Sequence, residues 1–91
     1  MKAPNAEAAA RTLTAEGFRH VAVWRDPPGG AYPSHTHSNE NAFIVLDGEI
    51  SVTTAAGAKT YRPGDRCDIP AGKYHSALAG PQGCAYVTGE R

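Results

Sequence analysis

The 91-residue chain is short of several things, and each shortage removes a class of protein. Charge is neither one-sided nor clustered: nine Lys and Arg balance nine Asp and Glu, and no run of like charge exceeds two residues. That excludes a nucleic-acid-binding stripe and a polybasic membrane patch, so neither nucleic acid nor membrane is expected as a partner. Long hydrophobic runs are missing too. The longest, Ala42 to Leu46, is far too short to cross a bilayer. The opening MKAPNAEAAA has no apolar signal-peptide core, which leaves a cytoplasmic location as the expectation. Cysteine is scarce: Cys67 and Cys84 are expected to be reduced, small, buried hydrophobes. The length points to one domain with a modest core.

What is plentiful is turn punctuation, with ten glycines and seven prolines. Residues 5 to 16 read as a helix, with Asn5 as N-cap, Glu7 in the first turn and Gly17 just past the end. From residue 18 onward, short stretches of strand formers alternate with turns. Strands are expected at 18–26, 31–37, 41–47, 49–55, 58–62, 65–69, 75–80 and 84–89. Asp47-Gly48 reads as a hairpin turn. Turn signals every 8–12 residues or so predict an antiparallel sandwich or barrel. The division that follows is a helical segment, 1–17, packed on a β-barrel domain, 18–91.

In NAFIVLD, Asn41, Phe43, Val45 and Asp47 share one face by the alternation of a strand. Ala42, Ile44 and Leu46 share the other, which is also apolar. A strand apolar on both faces is covered on both. A barrel interior covers one face, and the N-terminal helix or a second subunit the other, so a homodimer is expected.

The chemistry-bearing residues are histidines. His35 and His37 sit one residue apart, so an extended chain aims both at one point. His75 follows GDRCDIPAGKYH, where a strand and a Pro-x-Gly turn deliver one more imidazole. Neutral imidazole binds divalent transition metals, and three of them leave coordination positions open. Tyr32, Phe43 and Tyr74, with Trp24 and Tyr86, are candidates for lining a small-molecule pocket.

These residues resemble the two motifs of the cupin family. Gly29, five residues, His35-Thr36-His37 and a closing Gly48 match the first motif; Gly64, Pro70, Gly72 and His75 match the second in order and spacing. The resemblance runs from about Trp24 to the C-terminus. It implies a jelly-roll β-barrel with one metal inside it, held by His35, His37 and His75: iron, zinc, nickel, manganese or copper. The family's glutamate ligand, counted back from Gly48, falls on Asn41 rather than Glu40. An amide offers only a neutral oxygen. Three arrangements stay open: three histidines plus water, a bulge at 38–40 that swings Glu40 inward, or a weakened or lost metal site. Cupins carry out many reactions, and the resemblance implies either a metal-dependent enzyme (dioxygenase, or isomerase or lyase) or a non-catalytic module sensing a small molecule or the metal. Isomerase chemistry needs a nearby acid or base, for which Glu40, Tyr32 and Tyr74 are the candidates in this sequence.

Overall fold

The computed structural model describes residues 5–91. Its one helix, α1 (Ala6–Ala15), starts where the Asn5 carboxamide oxygen accepts the backbone N–H of Glu7 at 2.8 Å and that of Ala8 at 3.2 Å. It ends in a Schellman arrangement. Gly17 takes a positive φ of 91°, its N–H donates to the Thr14 carbonyl, and the Phe18 N–H donates to that of Leu13. The accompanying apolar contact is present, because Leu13 and Phe18 are buried in one cluster. Three turns are too few to persist alone. The stability of α1 comes from burying Ala9 and Leu13 on the sheet beneath.

Six strands follow: β1 (Arg19–Asp26), β2 (Ala31–His35), β3 (Asn41–Thr54), β4 (Gly57–Tyr61), β5 (Arg66–Ile69) and β6 (His75–Glu90). All pair antiparallel in the order β1-β6-β3-β4, with β2 added to β6 and β5 to β3. The two long strands make this a jelly roll. The first part of β3, from Asn41 to Ile44, lies between β5 and the C-terminal part of β6, with β1 beyond. Its last part, from Ile50 to Thr53, lies between β4 and the N-terminal part of β6, with β2 beyond. Each long strand thus passes from one wall of the barrel to the other.

The crossing point corrects the expected hairpin at Asp47-Gly48. The chain does not reverse there. β3 continues through two register irregularities, Val45/Asp47 and Gly48/Ile50, and β6 likewise runs unbroken where two strands were expected. The local signal for Asp-Gly was correct about backbone geometry, since Gly48 has φ +71°, but that geometry serves a bulge that bends the strand. A Cβ on Gly48 would lie 2.1 Å from the carbonyl oxygen of Gly83 in β6. The two bent strands therefore touch backbone to backbone at the corner, which only glycine permits.

The alternation along β3 sorts its side chains as expected. Phe43 and Val45, with Ile50, Val52, Cys67, Ile69, Ala79 and Cys84, form the barrel interior. Ala42 faces out with Val87 under Ala9, Leu13 and Phe18, and Ile44 and Leu46 pack at the edge of that cluster. The helix is what covers this outer face of β3. Cys67 and Cys84 are both buried and unbridged. No helix of the described residues is long and apolar enough to cross a membrane.

Candidate metal centre and pocket

His35 ends β2, His75 begins β6, and the two are register partners across the ladder. Their ring centroids are 4.3 Å apart. His37 lies two residues past the end of β2, with its ring 4.8 Å from that of His35 and 5.2 Å from that of His75. Its carbonyl accepts the Gly72 N–H at 2.8 Å, so the Pro-x-Gly turn that aims His75 also clips down the strand-end carrying His37. The two motifs, well separated in sequence, are thereby one structural unit.

The ring nitrogens are already sorted for ligation. His35 Nδ1 lies 2.7 Å from the carbonyl oxygen of Pro33, and His75 Nδ1 lies 3.2 Å from that of Lys73. A carbonyl only accepts, so each Nδ1 carries the proton and each Nε2 keeps its lone pair free. His75 is buried, His35 half-buried and His37 exposed. The His37 imidazolium is disfavoured, its pKa falling below the usual 6.5, first because the cluster desolvates it and then by repulsion from His35 and His75. The neutral, ligating form of His37 is thereby favoured.

One ligand atom from each ring lies within 4.8 Å of the others. A tetrahedral ion with bonds of about 2.1 Å holds its donors roughly 3.4 Å apart. The triad is therefore no more than about 1.4 Å wider than a bound ion would hold it. The donor set fits a divalent transition metal with an open position.

Asn41 and Glu40 separate as the pleat requires. Asn41 lines the histidine pocket; its Nδ2 donates to the Asn39 carbonyl at 3.0 Å, so the atom left for a ligand is the neutral Oδ1. Glu40 sits instead on a shallow groove with Asp68, Pro70 and Arg91, and its carboxylate is gripped by the Arg91 guanidinium at 3.0 and 3.1 Å. No bulge swings it inward. Tyr74 is also elsewhere: it is 67% exposed and does not line the pocket, whereas Tyr32 and Phe43 do.

The pocket below the histidines has a volume of about 240 Å³, at the small end for ligand cavities. Ile50, Val52 and Ile69 form its floor, and Trp24, Tyr32 and Tyr86 a wall. Behind that wall is Asp26, a buried residue that the sequence reading overlooked. The Tyr32 hydroxyl and the Trp24 Nε1, at 3.0 Å, donate to its Oδ1, and the Tyr86 hydroxyl donates to its Oδ2 at 3.0 Å. Burial first, then the neighbouring carboxylate, raises the pKa of both phenols, so both stay protonated. A signal for Asp26 existed. The alternation that puts Ala22 and Trp24 on one face continues to Asp26, but Asp26 is the last residue of the expected strand 18–26, beside the Pro27-Pro28 break, where a carboxylate is ordinarily solvated.

An antiparallel jelly roll in which the end of β2 and the start of β6 bring three imidazoles to one end of an apolar barrel defines the class: a small β-barrel with a candidate metal centre. The family model described as the cupin domain matches residues 22–83, more than half of the chain, and the chain belongs to the cupin family. No curated protein sequence is significantly similar to it. Among solved structures, a protein of unknown function from Rhizobium leguminosarum aligns over 99% of this chain and 95% of its own, with a TM-score of 0.73 at 22% identity. An uncharacterized protein with a double-stranded β-helix domain from Klebsiella pneumoniae has a TM-score of 0.67 at 26% identity, covering 77% of this chain. The DMSP lyase DddQ from Ruegeria pomeroyi has a TM-score of 0.71 at 25% identity, covering 78%. The chain spans 64% of the Klebsiella protein and 36% of DddQ.

Proposed function

We propose that His35, His37 and His75 together hold one divalent transition metal, and that the protein acts there on a small molecule bound in the pocket. The observation that carries this reading is the pair of Nδ1–H bonds to the Pro33 and Lys73 carbonyls, which leaves Nε2 free on two rings of a converging triad. The bound metal would act as a Lewis acid, polarising a ligand oxygen and favouring an anionic group. Asn41 stands beside the triad and adds no charge, so three neutral imidazoles leave the charge of the ion in full.

Isomerase or lyase chemistry is the reading we favour among the enzymatic ones. It needs a proton-handling side chain, and of Glu40, Tyr32 and Tyr74 the placement described above favours Tyr32. The Tyr32 hydroxyl borders the pocket and donates to Asp26, so a proton taken up by its oxygen has a carboxylate behind it to receive the one it gives up. The lyase named among the structural neighbours is consistent with this reading. A second reading, a binding module without turnover, draws support from the amide at position 41, which removes the carboxylate expected to complete the site. The proposal also includes a homodimer. Val23 and Leu78 are 46% and 53% exposed and offer apolar area to a second copy; light scattering is expected to give about twice the 9.6 kDa chain mass.

The decisive experiment is elemental analysis of untagged protein, before and after reconstitution with iron, zinc, nickel, manganese and copper in turn. About one equivalent of one metal is expected. Less than about a tenth of an equivalent of every metal, unchanged by reconstitution, sinks the proposal.

A further inference from the structure

Asp26 is a buried carboxylate with no counter-charge. Among the described residues it belongs to none of the ion pairs, which are Arg11–Glu7, His20–Glu90, Arg66–Glu16, Arg66–Asp68 and Arg91–Glu40. Its three hydrogen-bond partners, Trp24, Tyr32 and Tyr86, are all neutral donors. Hydrogen bonds make a buried carboxylate tolerable, but they do not cancel its field, and in a poorly solvated site that field reaches farther than in water.

The same three side chains form the pocket wall. Trp24 and Tyr86 are register partners across β1 and β6, and Phe43 packs against Tyr86 with ring centroids 5.3 Å apart. The pocket is therefore bordered by four aromatic side chains, three of them tethered to one negative charge. Both phenol protons are committed to Asp26, and the Tyr32 oxygen also accepts the Trp24 Nε1–H at 3.2 Å, so the lone pairs left for a ligand are chiefly those of Tyr86. No Lys or Arg lines the pocket. Aromatic faces attract cations through their quadrupole, and a buried carboxylate behind them adds to that attraction.

We propose that the Asp26-anchored wall of Trp24, Tyr32 and Tyr86 is a subsite for a small organic cation, so that the ligand of this pocket carries an ammonium or other onium group. The inference rests on the proposed metal centre in one respect: with a metal at the histidines, the opposite end of the ligand is anionic, and the ligand class is a small zwitterion. The volume of about 240 Å³ limits it to a compact one.

The test is calorimetric titration of the metal-loaded protein with trimethylglycine and with the tert-butylacetate anion, which has a carbon where trimethylglycine has the quaternary nitrogen. The two have the same shape and the same carboxylate. Trimethylglycine is expected to bind about tenfold more tightly, and Asp26→Asn, which keeps the shape of the side chain and removes its charge, to reduce the preference to about twofold or less with metal content unchanged. Equal binding of the two compounds to the wild-type protein overturns the proposal, and so does a preference that survives in Asp26→Asn. Should Asp26→Asn not fold, Trp24→Leu serves in its place, with the same expected loss of preference and the same overturning result. Tetramethylammonium and tert-butanol, which lack a carboxylate, repeat the comparison on chelator-stripped protein. A wrong metal assignment then appears as absent metal with the cation preference intact. A wrong cation assignment appears as bound metal with no preference.

Discussion

Glu40 and Arg91 hold each other twice. Their backbones exchange N–H···O bonds of 3.0 and 2.9 Å, which continue the β3–β6 ladder past Asn41, and their side chains form a two-pronged ion pair at 3.0 and 3.1 Å. Arg91 also donates to the Glu16 carbonyl and lies 4.3 Å over the Phe18 ring. The conspicuous acid of the histidine motif is thus part of the clasp that fastens the end of α1 to the sheet, with its carboxylate facing away from the imidazoles.

Exchanging the acid and the amide exposes this division. Asn41→Glu puts a carboxylate in the slot beside the triad and is expected to tighten metal binding by about tenfold or more in chelator competition. Glu40→Gln is expected to leave the metal affinity unchanged. The pair it breaks is over a third exposed, so the melting temperature should drop by no more than a few degrees. A loss of metal in Glu40→Gln would contradict the placement of Glu40.

His75→Ala removes the buried ligand. Metal content is expected to fall from about one equivalent to about a tenth or less, with the far-ultraviolet circular dichroism of the barrel retained. Undiminished stoichiometry would reject the ligand assignment.

The corner where β3 and β6 touch should be intolerant of a single methyl group. Gly48→Ala places a Cβ 2.1 Å from the Gly83 carbonyl oxygen, at a φ of +71°. Neither backbone can retreat without opening the ladder on both sides of the bend. The expected cost is about 3 kcal/mol or more in urea denaturation, or loss of soluble protein. A cost below about 1 kcal/mol would mean that the strands do not meet there.

The metal-free protein should weaken on acidification. The folded-state pKa of His37 lies below the ordinary 6.5, so between those two values the unfolded chain binds more protons than the folded one. Stability therefore rises with pH through that window and is lost as pH falls through it. The exposure of His37 keeps the effect small. Protons compete with the metal for the same nitrogen, so metal affinity should fall in the same direction. Thermal melts from pH 5 to pH 8, with and without metal, check both signs. A His37 imidazole that titrates at or above 6.5 in the metal-free protein, followed by its ring-proton shifts in NMR, would contradict the His37 environment.

Both thiols should be silent in the native state. Burial raises the pKa of Cys67, and that of Cys84 to about 11. With Ellman's reagent at pH 8, roughly a tenth of an equivalent or less is expected to react natively, and about two after denaturation. Rapid native reaction of either thiol would place it at the surface.

The sequence alone determined whatever depends on local geometry and short spacing. Asn5 and Gly17 mark the ends of α1 because capping is decided within four residues. The two apolar faces of β3 follow from the pleat, and the same alternation puts Asn41, rather than Glu40, on the face of Phe43 and Val45; that no bulge at 38–40 swings Glu40 inward was decided by the fold. The pair of motifs brought His75 to His35 and His37 through their resemblance to a family.

Only the tertiary structure decided the rest. Asp47-Gly48 carries a positive φ in a hairpin and in a bulge alike, and contact with Gly83, far along the chain, selects the bulge. Tyr74 and Tyr32 are the same residue type beside the same motifs, yet only Tyr32 turns into the barrel. Asp26 gains its role from Tyr32 on β2 and Tyr86 on β6, which the sequence places far from it. Its own neighbours, Arg25 and Pro27, carry no trace of that role. A buried charge is defined by what surrounds it, and that is settled when the sheet closes.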